Sequence, residues 1–113
     1  MGRKPRPASH IKGAPVFAEY LAKLDKMSYL YKSIDGALTV LKKDCLVGVK
    51  IQQNLWPKRY LRNYGITNLF KFNLEKGFRL LYTVAAEDKG LSVIVLECLN
   101  HKEYEKRFGY DVT

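Results

Sequence analysis

Cysteine and histidine are scarce in this chain, with two of each among 113 residues. Cys45 and Cys98 are too few for a disulfide framework, and no C-x-x-C or Cys/His spacing matches a metal-ligand set. His10 and His101 lie near opposite ends of the sequence. No metal site and no cofactor is therefore expected. Cys98, inside an apolar run, is read as core filler. Long apolar runs are also missing, and none approaches the roughly 18 to 20 residues that span a bilayer. The basic N-terminal stretch "MGRKPRPASHIKG" lacks the apolar segment of a secretory signal. The expectation is a soluble, cytoplasmic protein with no membrane partner. Acids are the last scarcity. There are 11 against 20 cations, a net charge of +9, and none falls between Cys45 and Thr67. Such an excess suits a polyanionic partner such as nucleic acid, an acidic protein or an anionic surface. A basic but otherwise ordinary soluble domain carries the same number.

The length and the 47% apolar content support one domain with one modest core. Residues 1–13 hold four cations, no acid and two prolines. They read as a flexible basic arm ahead of a single domain over 14–113, with a weak strand signal at Ser9–Lys12. Pro15 opens a helical stripe of Val16, Phe17, Tyr20, Leu21 and Leu24 that stops near Asp25-Lys26. Ser28 is placed to cap a second stripe of Leu30, Ile34, Ala37, Leu38 and Leu41. Together they predict an antiparallel helical hairpin. Residues 45–67 show no sustained period and are interrupted by Pro57, so an irregular connection with a short helical turn or strand is expected. Strands follow. Leu91–Leu99, "LSVIVLECL", is nearly all apolar, as in a strand buried on both faces. The expected fold class is α+β, with the helical hairpin packed on one face of a small, mainly antiparallel twisted sheet.

Within "NLFKFNLEKGFRLLYTV", residues 75–77 read as a hairpin loop. Leu74 then faces Phe78, Phe72 faces Leu80 and Phe70 faces Tyr82, which merges the apolar faces. The same register sets Asn73 against Arg79 and Lys71 against Leu81 on the opposite face. The two cations either line a site there or are solvated residues of an open sheet face.

The segments "NLFKFNL..GFRLLYTV" and "VIVLECLNHKEYEKRFGY", preceded by "NLWPKRYLRNYG" and by the helical pair, resemble the RelE/ParE toxin superfamily of type II toxin–antitoxin systems. The resemblance spans roughly residues 14–110 and is best from Asn68 to Tyr110. It implies a microbial-ribonuclease-like fold. In the RelE branch it implies a metal-independent, ribosome-dependent mRNA endonuclease that uses the RNA's own 2′-OH and leaves a cyclic phosphate. The implied partners are the ribosome, mRNA and a cognate antitoxin, with no obligate homo-oligomer. The ParE branch shares the fold and inhibits DNA gyrase. A decayed toxin that only binds RNA or antitoxin is a third reading.

Carried onto this sequence, Arg79 matches the arginine of the family's "G-aromatic-R" motif, whose fork suits a transferring phosphate. Lys71 matches a basic strand position that neutralises phosphate. Asn73 departs from the lysine of the best-studied branch, which leaves the general base open, and is kept as an RNA contact. His101 falls where some branches place a catalytic histidine or arginine, and imidazole suits acid–base work near neutral pH. Tyr104 is a catalytic candidate, and Tyr110 is a candidate for stacking on a base. Lys102, Lys106 and Arg107 are candidate phosphate contacts. In the basic-aromatic run 56–64, Lys58, Arg59 and Arg62 are candidate RNA contacts, with Trp56 and Tyr60 either stacking on bases or filling core.

Overall fold

The turn at Glu75–Gly77 sets the register of the sheet. Lys76 (φ 61°) and Gly77 (φ 81°) both adopt left-handed backbone, which glycine takes without penalty and lysine takes at a cost. The turn closes with Leu74 N–H donating to the Phe78 carbonyl at 2.8 Å. From it run the pairs Asn73–Arg79, Phe72–Leu80, Lys71–Leu81 and Phe70–Tyr82, the register that the apolar pattern predicts.

The computed structural model describes residues 3–109. In chain order it contains β1 (Ala8–Gly13), α1 (Pro15–Lys23), α2 (Tyr29–Lys43), β2 (Val49–Lys50), α3 (Lys58–Tyr64), β3 (Phe70–Asn73), β4 (Arg79–Glu87), β5 (Gly90–Leu99) and α4 (His101–Tyr104), with a π-helical turn at Glu105–Gly109. The strand order is β1-β5-β4-β3-β2. Among the described residues only β1 against β5 is parallel. The fold is α+β on a mainly antiparallel sheet. Among the described residues no helix is long and apolar enough to cross a membrane.

Two sequence expectations need correction. Residues 8–13 are not part of a flexible arm, because Ala8–Gly13 pairs along β5. Residues 3–6 are held as well: the Asp44 carboxylate accepts Arg3 Nη1 at 2.8 Å and the Arg6 N–H at 3.2 Å, while Arg6 O accepts the Cys45 N–H. The connection 45–67 contains the two-residue β2 and the seven-residue α3, in keeping with the short strand and helical turn expected there. Most important for the site, the helices do not sit on one face alone.

The first face carries α1 and α2, whose Phe17, Ile34, Ala37 and Leu41 pack with Phe70, Leu80, Tyr82, Val84, Val93 and Val95. Both helices begin as the sequence directs. Pro15 occupies the first turn of α1, and Ser28 caps α2 by accepting the Tyr31 N–H at 3.1 Å. Cys98 joins this core, where burial pushes its thiol up to about 11, leaving it unreactive near neutral pH. Tyr82 stacks on Phe70 and donates its hydroxyl to Cys45 O at 2.9 Å, while accepting the Gly48 N–H at 3.0 Å. A Cβ at residue 48 would lie 2.5 Å from that hydroxyl and 2.7 Å from Lys71 O, so only glycine fits.

The second face is also covered. Trp56, Tyr60, Ile66, Leu69 and Phe108 pack on Leu81, Leu96 and Leu99. A bulge makes this possible. Leu81 pairs with Glu97 and Tyr82 with Val95, so Leu96 is an extra residue in β5. With it, Leu96 and Glu97 both project toward α3 and the C-terminal turn, where strict alternation would separate them.

Two predictions follow from this packing. Tyr82→Phe leaves Cys45 O and the Gly48 N–H without their buried partner and costs about 1–3 kcal/mol in chemical unfolding. Asp44→Asn releases residues 3–6 to limited proteolysis at neutral pH. Arg3 holds the Asp44 carboxyl below its ordinary value, so the wild-type tether persists above about pH 4 and is lost only as pH falls through the depressed value.

Candidate functional site

Arg79, Lys71, His101 and Tyr104 come from three elements and meet at one end of the second sheet face. Arg79 opens β4 directly after the turn and donates Nη1–H to Gly77 O at 2.8 Å. Lys71 lies on the neighbouring strand. Asn100 ends the strand region and caps α4: its side chain accepts the Glu103 N–H, and Glu103 accepts the Asn100 N–H, both at 2.8 Å. This capping box starts the helix at His101. Gly77 permits the close approach, since a Cβ there would touch His101 Cβ at 3.3 Å.

Tyr104 is the hub. The Arg79 guanidinium carbon lies 4.5 Å from its ring centroid, and Lys71 Nζ lies 5.1 Å from the centroid and 3.3 Å from the hydroxyl. Phe108 stacks on the same ring at 4.6 Å. Arg79 Nη1 approaches His101 Nδ1 at 3.4 Å, and His101 Nε2 contacts Glu105 Oε1 at 2.8 Å. Among the described residues Arg79 Nε is buried with no hydrogen-bond partner. A buried cationic donor left unmatched in this way is rare in folded proteins. The arrangement offers two cations, an imidazole oriented by a carboxylate, and a phenol.

A second group of predicted residues forms a groove of about 830 Å³ between α3 and the C-terminal turn. Lys58, Arg59 and Arg62 line one wall, and Glu103, Lys106 and Arg107 the other. Trp56 and Tyr60 are core residues, so the cations of the run 56–64 face the groove while these two rings pack inside. Trp56 donates its indole N–H to Ile51 O at 2.8 Å, and Tyr60 is fully buried. Asn73 is exposed opposite Arg79. Lys102 is exposed on α4 and lines neither place. Tyr110 lies outside the described residues.

Sequence reasoning missed Glu97 and Glu105. Glu97 is nearly buried and accepts two 2.6 Å contacts from Arg107 Nη1 together with a hydrogen bond from the Tyr60 hydroxyl. Burial, followed by the nearby Glu97 charge, pushes the Tyr60 phenol far above its ordinary value. Arg107 is thus first a structural partner of Glu97 and only secondarily a groove residue. The signal was a lone carboxylate in an otherwise apolar strand. Glu105 was legible as the residue one helical turn after His101.

Comparison of the chain with family models, curated proteins and solved structures gave no match.

Removing one partner from the Glu97–Arg107 pair should be severe. Arg107→Ala leaves a buried carboxylate unmatched and is expected to lower unfolding stability by about 3 kcal/mol. Tyr60→Phe removes a single hydrogen bond to that carboxylate and costs about 1.5–3 kcal/mol. Equilibrium denaturation of both variants checks the order.

Proposed function

We propose that the chain is a RelE-like toxin of a type II toxin–antitoxin system, a ribosome-dependent endonuclease that cuts mRNA by attack of the RNA's own 2′-OH without a metal. The observation that carries this reading is the convergence of Arg79, Lys71 and His101 around Tyr104, with Arg79 Nε unpartnered. The reading takes α1 and α2 as the family's helical hairpin. Its partners are the ribosome, mRNA and a cognate antitoxin whose acidic or amphipathic helix neutralises the basic surface.

In this chemistry the 2′-oxygen bonds to phosphorus as the bond from phosphorus to the 5′-oxygen breaks. The 2′-OH proton passes to a base, and the leaving 5′-oxygen takes one from an acid. Arg79 and Lys71 supply the fixed positive charge that the phosphate needs as negative charge builds on its oxygens. Tyr104 holds both cations. Asn73 carries no exchangeable charge at neutral pH, so acid–base work falls to His101. When its Nε2–H is donated to Glu105, the Nδ1 lone pair faces Arg79, the guanidinium to which this reading assigns the phosphate.

A reconstituted translation reaction with primer extension tests this. Wild type is expected to create new 5′ ends only when ribosomes are present. Arg79→Ala should cut at least about 100-fold more slowly, and His101→Ala should also slow cleavage. If translation continues with no new ends at stoichiometric protein, the nuclease reading fails. Gyrase inhibition, or binding without catalysis, which Asn73 favours, then takes its place.

A further inference from the structure

The groove between α3 and the C-terminal turn lies apart from the Arg79 cluster. His101, Tyr104 and Phe108 lie toward that cluster, whereas Glu103, Lys106 and Arg107 line the groove from another side of the same segment. Its charge is predominantly positive. Glu103 keeps its negative charge while accepting the Asn100 N–H, and Arg107 is paired with Glu97. Lys58, Arg59 and Arg62 on one wall and Lys106 on the other are exposed. A cleft with cations on both walls matches a ribbon of phosphates.

What the groove lacks is equally informative. Surfaces that hold single strands combine cations with aromatic faces on which bases stack. Here Trp56 and Pro57, which line the groove, are buried, and the indole N–H is spent on Ile51 O. Tyr60 is fully buried beneath. The groove therefore meets backbone rather than bases, the mode by which double-helical RNA is held through phosphates and shape.

We propose that this groove is a separate site for the phosphate backbone of double-helical RNA. The choice of RNA over DNA rests on the proposed function; the preference for duplex over single strand does not.

The test is fluorescence-anisotropy binding of a 5′-labelled RNA hairpin, compared with an unstructured RNA of equal phosphate number, across a salt series. Wild type should prefer the hairpin. The double variant Lys58→Ala/Arg62→Ala should lose at least about tenfold in affinity and flatten the log K against log salt slope by roughly 2. Lys106→Ala, on the opposite wall, should weaken binding and flatten the slope by roughly 1. Lys32→Ala/Lys43→Ala, with the same charge change on α2, should leave both nearly unchanged, and thermal melting confirms that all variants are folded. Equal or tighter binding of the unstructured RNA overturns the proposal, as does an equal loss in the α2 variant. Tighter binding of a matched DNA duplex removes the RNA assignment. Competition by polyglutamate as effective as by duplex RNA makes the groove a protein-docking surface instead. No readout depends on cleavage, so failure of the nuclease reading is seen separately.

Discussion

A carboxylate placed against an apolar sheet face is costly unless its charge is matched. The charge of Glu97 is matched by Arg107 from the C-terminal turn, and the carboxylate also accepts a hydrogen bond from Tyr60 of α3. This contact ties three elements together, and the candidate site depends on it. A helix of four residues cannot hold itself in water, and α4 has only that length. Its capping box begins it, and Phe108 in the second core together with Arg107 on Glu97 anchor the turn that follows. Without that anchor, His101 and Tyr104 have no fixed position beside Arg79.

The bulge at Leu96 links this anchor to the sheet. In a strictly alternating strand Glu97 would share a face with Val93 and Val95, under α1 and α2, where burial of a charge would oppose folding. One extra residue turns it to the face that holds its partners. The sheet is then divided by face. One side is a core with two amphipathic helices. The other is a smaller core rimmed by cations, with the Arg79 cluster at one place and the basic groove at another.

How much of this could be read from sequence follows from what each signal reports. Strict alternation in residues 70–84, interrupted by Glu75–Gly77, fixed the hairpin register, because a one-residue slip would bury Arg79 among aromatics. The helical stripes and the Ser28 cap placed α1 and α2. β1 was barely legible, since an edge strand carrying Lys12 gains its order from pairing with β5 rather than from its own pattern. The cover on the second face was illegible for a similar reason. α3 is a short helix with exposed cations and a single fully buried side chain, Tyr60, so its periodicity is too brief to register. The cluster residues were named individually from the hairpin and the family resemblance. Their meeting at Tyr104 depended on a turn after β5 that apolar patterning does not encode.

The electrostatics of the cluster bear on what it can bind. Lys71 and Arg79 flank one aromatic ring, and among the described residues neither is paired with a carboxylate. The nearest acid in the cluster, Glu105, is engaged by His101. Two like charges gathered at one ring repel, and the π face of Tyr104 offsets part of that cost. A bound anion would relieve that repulsion. A phosphate would meet donors already oriented by Gly77 O, Tyr104 and the strand register, with little reorganisation left to perform. The guanidinium, held by Gly77 O and set against the Tyr104 ring with the His101 imidazole beside it, is more restrained than a solvated sheet residue needs to be.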